Sequence, residues 1–349
     1  KKITGVLISC ARVFALVIGL CVLLFLPARG ELSPAAANYF KVGQGDMGSG
    51  RYPEAIENFK KALKIEPQYL DARFLLGICY QQTKQFDEAI GAFRKIMETN
   101  KNFEPACIYL ASVFMDKGEL KKAEEVLGQV LLRNPCSAQA FYAQGVIAYR
   151  RGRLEESIKL WGKSSALDKT LAAAFGNTAV AQYNLGRSRE ALSSIQTALR
   201  LQPDKAEYSF NLGWILRRQG DVKGAEKAFG EVLKTGKGCP EALMVEAFQA
   251  LEGNDLILAA RKAGEARRED PSNQRADWLL GLCYEKEEKW DEALKCYQEA
   301  LNKDNQDIDA QEAFQRAAAE IRRKQNGDAR EVSPEKASGD RLPDEEKIR

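Results

Sequence analysis

The sequence has 349 residues and contains no histidine. Without an imidazole it cannot form a Ser-His-Asp or Cys-His catalytic arrangement, or a haem or zinc site that uses histidine. No Cys-x-x-Cys pair occurs, and the cysteine spacings fit no metal site. The net charge is only +3, whereas nucleic-acid binding selects strongly basic domains. We therefore expect a protein that is not an enzyme, that uses no cofactor or metal, and that binds neither nucleic acid nor a small-molecule substrate.

One motif could argue against that expectation. Gly43-x-Gly45-x-x-Gly48 has the spacing of a dinucleotide-binding fingerprint. That fingerprint holds a pyrophosphate only where it follows a buried strand and opens a helix. The preceding SPAAANYF is rich in alanine and has no β-branched run, so it does not indicate a strand. We predict no nucleotide site here.

Residues 1–30 differ from the rest of the chain. Basic residues precede an uncharged apolar run of fourteen residues, Val13 to Leu26, and Ala28-Arg29-Gly30 follows it. This order is typical of a secretory signal peptide, and the run is shorter than the roughly 20 apolar residues that a membrane span needs. We favour cleavage before Glu31, with a membrane anchor over residues 3–26 as the alternative. Both interpretations predict an exported protein, periplasmic or otherwise extracytoplasmic.

Small residues recur every 34 positions through the remainder of the sequence. They are Ala55, Ala89, Ala123, Ser157, Ala191, Ala225, Ala259 and Ala293. Glycine is frequent twelve and five positions before them, and a large apolar residue usually stands four positions after them. Within each unit the apolar residues keep a spacing of three and four. The pattern predicts two amphipathic helices per unit, broken at the middle glycine.

The segments RFLLGICY (73–80), FDEAIGAF (86–93) and DWLLGLCYEKEEKWDEALKCYQEA (277–300) resemble the tetratricopeptide repeat. The resemblance implies an all-α, right-handed α-solenoid of eight tandem 34-residue helix-turn-helix repeats, because a single unit cannot bury its apolar face alone. The predicted repeats are 36–69, 70–103, 104–137, 138–171, 172–205, 206–239, 240–273 and 274–307. We expect a capping helix over residues 308–325 and, because apolar residues are scarce there, a disordered tail over residues 326–349.

The resemblance also implies a binding groove. In this family the first helix of each repeat lines the concave surface, and asparagines at its sixth position hold extended peptides. The corresponding candidates here are Phe74, Tyr142, Tyr149, Arg150, Asn177, Tyr183, Phe210, Asn211, Trp214, Arg217, Arg218, Phe248 and Trp278. Exposed apolar patches of this kind usually mark binding sites. We expect Trp214 and Trp278 to be the main anchors for a partner, the alternative being that such aromatics pack against neighbouring repeats.

Two functions remain open at this stage. The first is an exported scaffold or adaptor that binds a partner protein or an extended peptide in the concave groove. The second is a permanent structural or assembly subunit of a larger envelope complex, bound through edges and termini. Export would permit disulfides, and Cys283 with Cys296 is the one pair we consider. Free buried thiols are otherwise expected.

Overall fold

The computed structural model describes residues 32–236 and 238–331, without the side chains of 326–331. These residues form seventeen α-helices and no strand. The first helices of the eight pairs are α1 (Pro34–Gly48), α3 (Leu70–Gln82), α5 (Glu104–Lys117), α7 (Ala138–Arg150), α9 (Ala172–Asn184), α11 (Ala206–Arg218), α13 (Pro240–Glu252) and α15 (Gln274–Lys286). The second helices are α2 (Tyr52–Ile65), α4 (Phe86–Thr99), α6 (Leu120–Arg133), α8 (Leu154–Leu167), α10 (Ser188–Leu201), α12 (Val222–Thr235), α14 (Leu256–Glu269) and α16 (Trp290–Lys303). The final helix is α17 (Ile308–Glu331).

Each helix packs against its pair partner and against the next helix along the chain, which is the arrangement of an α-solenoid. The recurrent small residue lies at these contacts and is fully or almost fully buried in every repeat, as Ala89 and Ser157 illustrate. The prediction of an all-α solenoid of helix pairs is confirmed.

The glycines of the apparent nucleotide fingerprint are part of the first helix. Helix α1 runs through Gly43, Gly45 and Gly48. A side chain at Gly43 would contact the ring of Phe59, whereas Gly45 and Gly48 face no neighbouring atom. Gly43 therefore serves the packing of the first helix pair.

The terminal helix is longer than the sequence predicts. Helix α17 continues to Glu331, past the expected end at residue 325. Three of its alanines, Ala310, Ala313 and Ala317, are buried against the last repeats. The proposed signal peptide or anchor and residues 332–349 lie outside the described part of the chain. Within the described part, no helix combines the length and apolar character needed to cross a bilayer.

Candidate partner-binding groove

The first helices of the repeats face a common interior, and a cavity of about 1120 Å³ lies along it. Residues from the second to the eighth repeat line this cavity, from Gln81 on α3 to Asp307 before α17. The lining carries carboxylates, cations, amides and aromatic rings. We call this lined interior the groove.

The structure brings six of the thirteen candidate residues together around the groove. They are Tyr149, Arg150, Tyr183, Phe210, Asn211 and Trp214. Asn211 is partly exposed there, where its amide is accessible to a ligand. The binding role of these six residues stays a prediction.

The expected aromatic anchors are not exposed. Trp214 and Trp278 are 7% and 8% accessible, and their ring centroids lie 5.2 Å apart. Phe248 fills the space beside Trp214, at 4.7 Å between centroids. The curvature of the solenoid brings α11, α13 and α15 together, so these rings bury one another. The alternative interpretation, packing between neighbouring repeats, holds for this cluster.

The other candidates outside the groove lining also have partners within the chain. Phe74 packs edge-on against Phe93 and Tyr109. The buried Asn177 side chain donates a hydrogen bond of 3.0 Å to the Tyr142 hydroxyl, so it links two first helices and does not face a ligand. Arg217 lies over the ring of Phe248 and pairs with Glu252.

A turn near the C-terminus reaches across to the middle repeats. We call residues 304–312, which join α16 to α17 and form its first turn, the acidic turn. The Tyr149 hydroxyl donates to Asp304 Oδ2 at 2.8 Å, and the Tyr183 hydroxyl donates to Asp309 Oδ2 at 2.7 Å. Arg218, another of the candidates outside the groove lining, contacts Asp309 at 2.8 Å and Glu312 at 2.6 Å. The acidic turn therefore lies against side chains of the middle repeats and forms part of the groove lining.

Arg275 anchors the acidic turn from the eighth repeat. Its guanidinium lies 2.6 Å from Asp309 and 3.4 Å from Asp307, and it also faces the rings of Trp214 and Trp278. Burial, together with the neighbouring Asp307, raises the pKa of Asp304 to about 7. For Asp309, burial favours the neutral acid, but Arg275 and its hydrogen bonds outweigh burial and lower the pKa.

Sequence reasoning missed Arg275 and the acidic turn. Arg275 stands at the second position of the eighth repeat, on the first helix that the resemblance assigns to the concave surface, but the arginines expected there were only Arg150, Arg217 and Arg218 at the helix ends. The run DNQDID (304–309) was visible as an acidic segment between the last repeat and the terminal helix. No local pattern tells which distant helix such a segment contacts.

The cysteines give no sign of reactivity. All six in the described part of the chain, including Cys283 and Cys296, are free thiols. Burial raises the pKa of the Cys283 thiol to about 11, which disfavours the reactive thiolate. Among the described residues, no group of Cys, Asp and Glu side chains is arranged to hold a metal ion.

Comparison with known proteins agrees with the helix pairs. Models of the tetratricopeptide repeat match residues 46–102, 110–173, 177–240 and 278–307. A solved tetratricopeptide repeat protein from Parabacteroides merdae superposes with a TM-score of 0.55 at 15% identity, covering 72% of this chain and 99% of that one. At this identity the likeness shows the fold alone.

Relatives match shorter stretches. The photosystem I assembly protein Ycf3 of Synechococcus sp. is 32% identical over 88 residues, which cover 24% of this chain and 50% of that protein. The BBSome complex member BBS4 of Bos taurus is 28% identical over 117 residues, covering 33% of this chain and 22% of that protein. The match thus spans no more than half the length of either relative. The repeat models, by contrast, cover more than half of this chain, and the chain belongs to the tetratricopeptide repeat family.

Proposed function

We propose that this protein is an exported scaffold or adaptor that binds a partner protein or an extended peptide in its concave groove. The observation that carries the proposal is the groove itself, a cavity of about 1120 Å³ lined from the second to the eighth repeat. Such a volume exceeds the typical 300–1,000 Å³ of a small-molecule site, and its lining draws on seven successive repeats, which suits a ligand that contacts several repeats at once.

The chemistry of the lining also supports a peptide ligand. Amide side chains at Gln81, Asn184 and Asn211 line the cavity. Gln81 and Asn184 already donate within the chain, to Ser112 and Asp116 and to the Tyr149 hydroxyl, whereas the partly exposed Asn211 amide offers both a donor and an acceptor to a peptide backbone. Lys205 is partly exposed in the lining and can meet an acidic side chain, whereas Arg150 already donates to the Met115 carbonyl and lies 3.8 Å from Asp116. The protein then acts by holding its partner, and catalysis plays no part.

The test begins with capture of the partner by the full chain and its identification by mass spectrometry. The partner is then titrated against Asn211→Arg, which places a bulky cation in the groove. Because Asn211 is partly exposed, we expect the fold to persist and the affinity to fall at least about tenfold, the scale of a lost interface contact of about 1.4 kcal/mol. Gln129→Arg, at an exposed site on α6, is the matched control.

If the partner binds Asn211→Arg as tightly as the unchanged protein, groove binding fails. Stoichiometric co-purification with an unaffected Asn211→Arg would instead support the permanent assembly subunit bound through edges and termini. Export is tested separately by sequencing the N-terminus of native protein. Cleavage predicts a start at Glu31, whereas retention of residues 3–26 would establish the anchor.

A further inference from the structure

Arg275, which lines the groove, and Arg218, which lies outside its lining, have carboxylate partners only in the acidic turn. Within the described residues, Arg218 pairs with Asp309 and Glu312, and Arg275 pairs with Asp307 and Asp309. Two tyrosine hydroxyls, from Tyr149 and Tyr183, complete the contacts to the same segment. These four side chains come from four different repeats and converge on one short stretch of nine residues. That is the geometry of a site holding an acidic peptide.

We call the form in which the acidic turn contacts Tyr149, Tyr183 and Arg218 closed, and the form without these contacts open. The closed form also contains features that raise its free energy. The indole N–H groups of Trp214 and Trp278 are buried without an acceptor among the described residues, and an unsatisfied buried donor disfavours the state that contains it. Asp304 and Asp307 are both almost fully buried and face each other's charge. These costs oppose the ion pairs, so the closed and open forms are closer in free energy than the contacts alone suggest.

Opening requires no local unfolding. In a solenoid each repeat contacts mainly its neighbours, and small changes at successive interfaces add up to a large change in curvature. The acidic turn is continuous with α16 and α17, whereas Tyr149, Tyr183 and Arg218 belong to the fourth, fifth and sixth repeats. A modest decrease in curvature between the sixth and eighth repeats would separate the acidic turn from these three side chains.

We propose that the groove recognises an acidic, extended peptide segment, and that the chain's own acidic turn occupies the place of that segment until the partner displaces it. Arg218 and Arg275 pair with the carboxylates of the incoming segment, while the Tyr149 and Tyr183 hydroxyls donate to them. This inference rests on the proposed groove-binding function and names the chemistry of its ligand.

The probe is a fluorescent peptide with the sequence of residues 303–313, KDNQDIDAQEA, titrated against the full-length chain by anisotropy. The opened variant is Asp309→Asn with Glu312→Gln, which removes both carboxylates of the Arg218 contact with little change in shape. Only the open form binds the peptide, so the apparent affinity is the intrinsic affinity multiplied by the fraction of open molecules. If the acidic turn is closed about 90% of the time, the opened variant should bind the peptide approximately tenfold more tightly. Glu320→Gln is the control, because Glu320 pairs with Arg323 on the same helix.

Two further measurements identify the site and the chemistry. Adding Arg218→Gln to the opened variant should reverse the gain about tenfold, because a hydrogen bond to a charged group is lost. A neutral peptide with asparagine and glutamine in place of the acids should bind at least about tenfold more weakly than the acidic one. Circular dichroism of each variant confirms that the helices persist.

An unchanged affinity in the opened variant, or equal binding of the neutral peptide, would overturn the inference. That failure is distinguishable from failure of the groove function, which the captured partner tests through Asn211→Arg. If the partner fails to bind Asn211→Arg but binds the opened variant and the unchanged protein equally well, groove binding stands and regulation by the acidic turn is rejected.

Discussion

At the scale of residues, two positions of the repeat are fitted to each other. In five repeats a glycine of the first helix lies under an aromatic ring of the second: Gly43 and Phe59, Gly77 and Phe93, Gly145 and Trp161, Gly213 and Phe229, Gly281 and Tyr297. The other three repeats carry alanine at the glycine position, and there the partner is Leu127, Ile195 or Ala263. The size of one residue therefore compensates for the size of the other.

This fit predicts that two glycine-to-alanine substitutions in one repeat change the free energy of unfolding in opposite directions. A Cβ at Gly77 would lie 2.8 Å from the Phe93 ring, whereas one at Gly91 meets nothing within 4 Å. Gly91→Ala should stabilise the protein by about 0.8–1 kcal/mol through helix propensity. Gly77→Ala should destabilise it, because overpacking costs about 1–3 kcal/mol. Urea unfolding followed by circular dichroism measures both, and stabilisation by Gly77→Ala would contradict the fit.

The compensation itself is tested by a double substitution. Phe93→Leu with Gly77→Ala recreates the pair that the third repeat carries at Ala111 and Leu127. The double variant should be more stable than the sum of the two single changes predicts, by about 0.5–3 kcal/mol of coupling. Strictly additive effects would show that the ring and the glycine do not constrain each other.

Asp304 makes the stability of the closed form depend on pH. Its pKa is about 7 in the folded chain, against an ordinary value of 3.8, and the groups around it are Tyr149, Asp307 and Arg275. The folded chain therefore binds the proton more tightly than the unfolded chain does. The stabilisation is fully present below pH about 4 and is lost as the pH rises through about 7.

Asp304→Asn removes this titration with little change in shape. The variant should match the unchanged protein below pH about 4, gain on it as the pH rises from about 4 to about 7, and be the more stable of the two at pH 8, as measured by urea midpoints at each pH. The control is Asp168→Asn, at the equivalent position of the fourth repeat, where the carboxylate bonds to Thr170 in its own turn. A variant that is less stable than the unchanged protein at pH 8 would contradict the assigned role of burial.

At the scale of elements, the turn between the two helices of each repeat has one backbone conformation. The residue two positions before the second helix begins has a positive φ in all eight repeats. Five are glycines, including Gly118 at 84°, and the others are Lys84 at 62°, Asn254 at 61° and Glu288 at 56°. The left-handed conformation costs a non-glycine residue about 1–2 kcal/mol, and asparagine tolerates it better than most. The glycines five positions before the recurrent small residue are therefore explained by the positive φ that the turn requires.

Glycine should therefore stabilise the turns that lack it. Lys84→Gly and Glu288→Gly are each expected to raise the free energy of unfolding by about 1 kcal/mol, and Asn254→Gly by less. Gly118→Ala should lower it by a similar amount, because alanine does not adopt this φ without strain. Thermal and urea unfolding of the four variants give the order, and destabilisation by Glu288→Gly would contradict the argument from backbone conformation.

The helix pairs were predictable from the sequence because the repeat records local requirements eight times. A buried small residue and a left-handed turn recur every 34 positions, and an aromatic partner recurs in five of the eight repeats, so one accidental residue cannot hide the pattern. The burial of Trp214 and Trp278 was not predictable in this way. It depends on the curvature summed over three repeats, which no single repeat encodes.

At the scale of the whole molecule, the solenoid curves enough for its end to meet its middle. The contact between Tyr149 and Asp304 joins residues 155 positions apart, far beyond the span of a repeat and its neighbours. The acidic turn forms part of the groove lining, together with Asn211 and Arg150. The concave side is therefore both the proposed binding surface and the place where the chain contacts itself.

Hydrogen–deuterium exchange of the full chain, with and without its captured partner, tests the central claim most directly. Backbone amides exchange through local opening, and a bound partner slows the opening of the elements that it contacts. Binding in the groove predicts slower exchange in the first helices of the middle repeats, α7, α9 and α11, with little change in α8 and α10 on the other face. Protection confined to second helices, or to α1 and α17 at the two ends, would contradict binding in the groove.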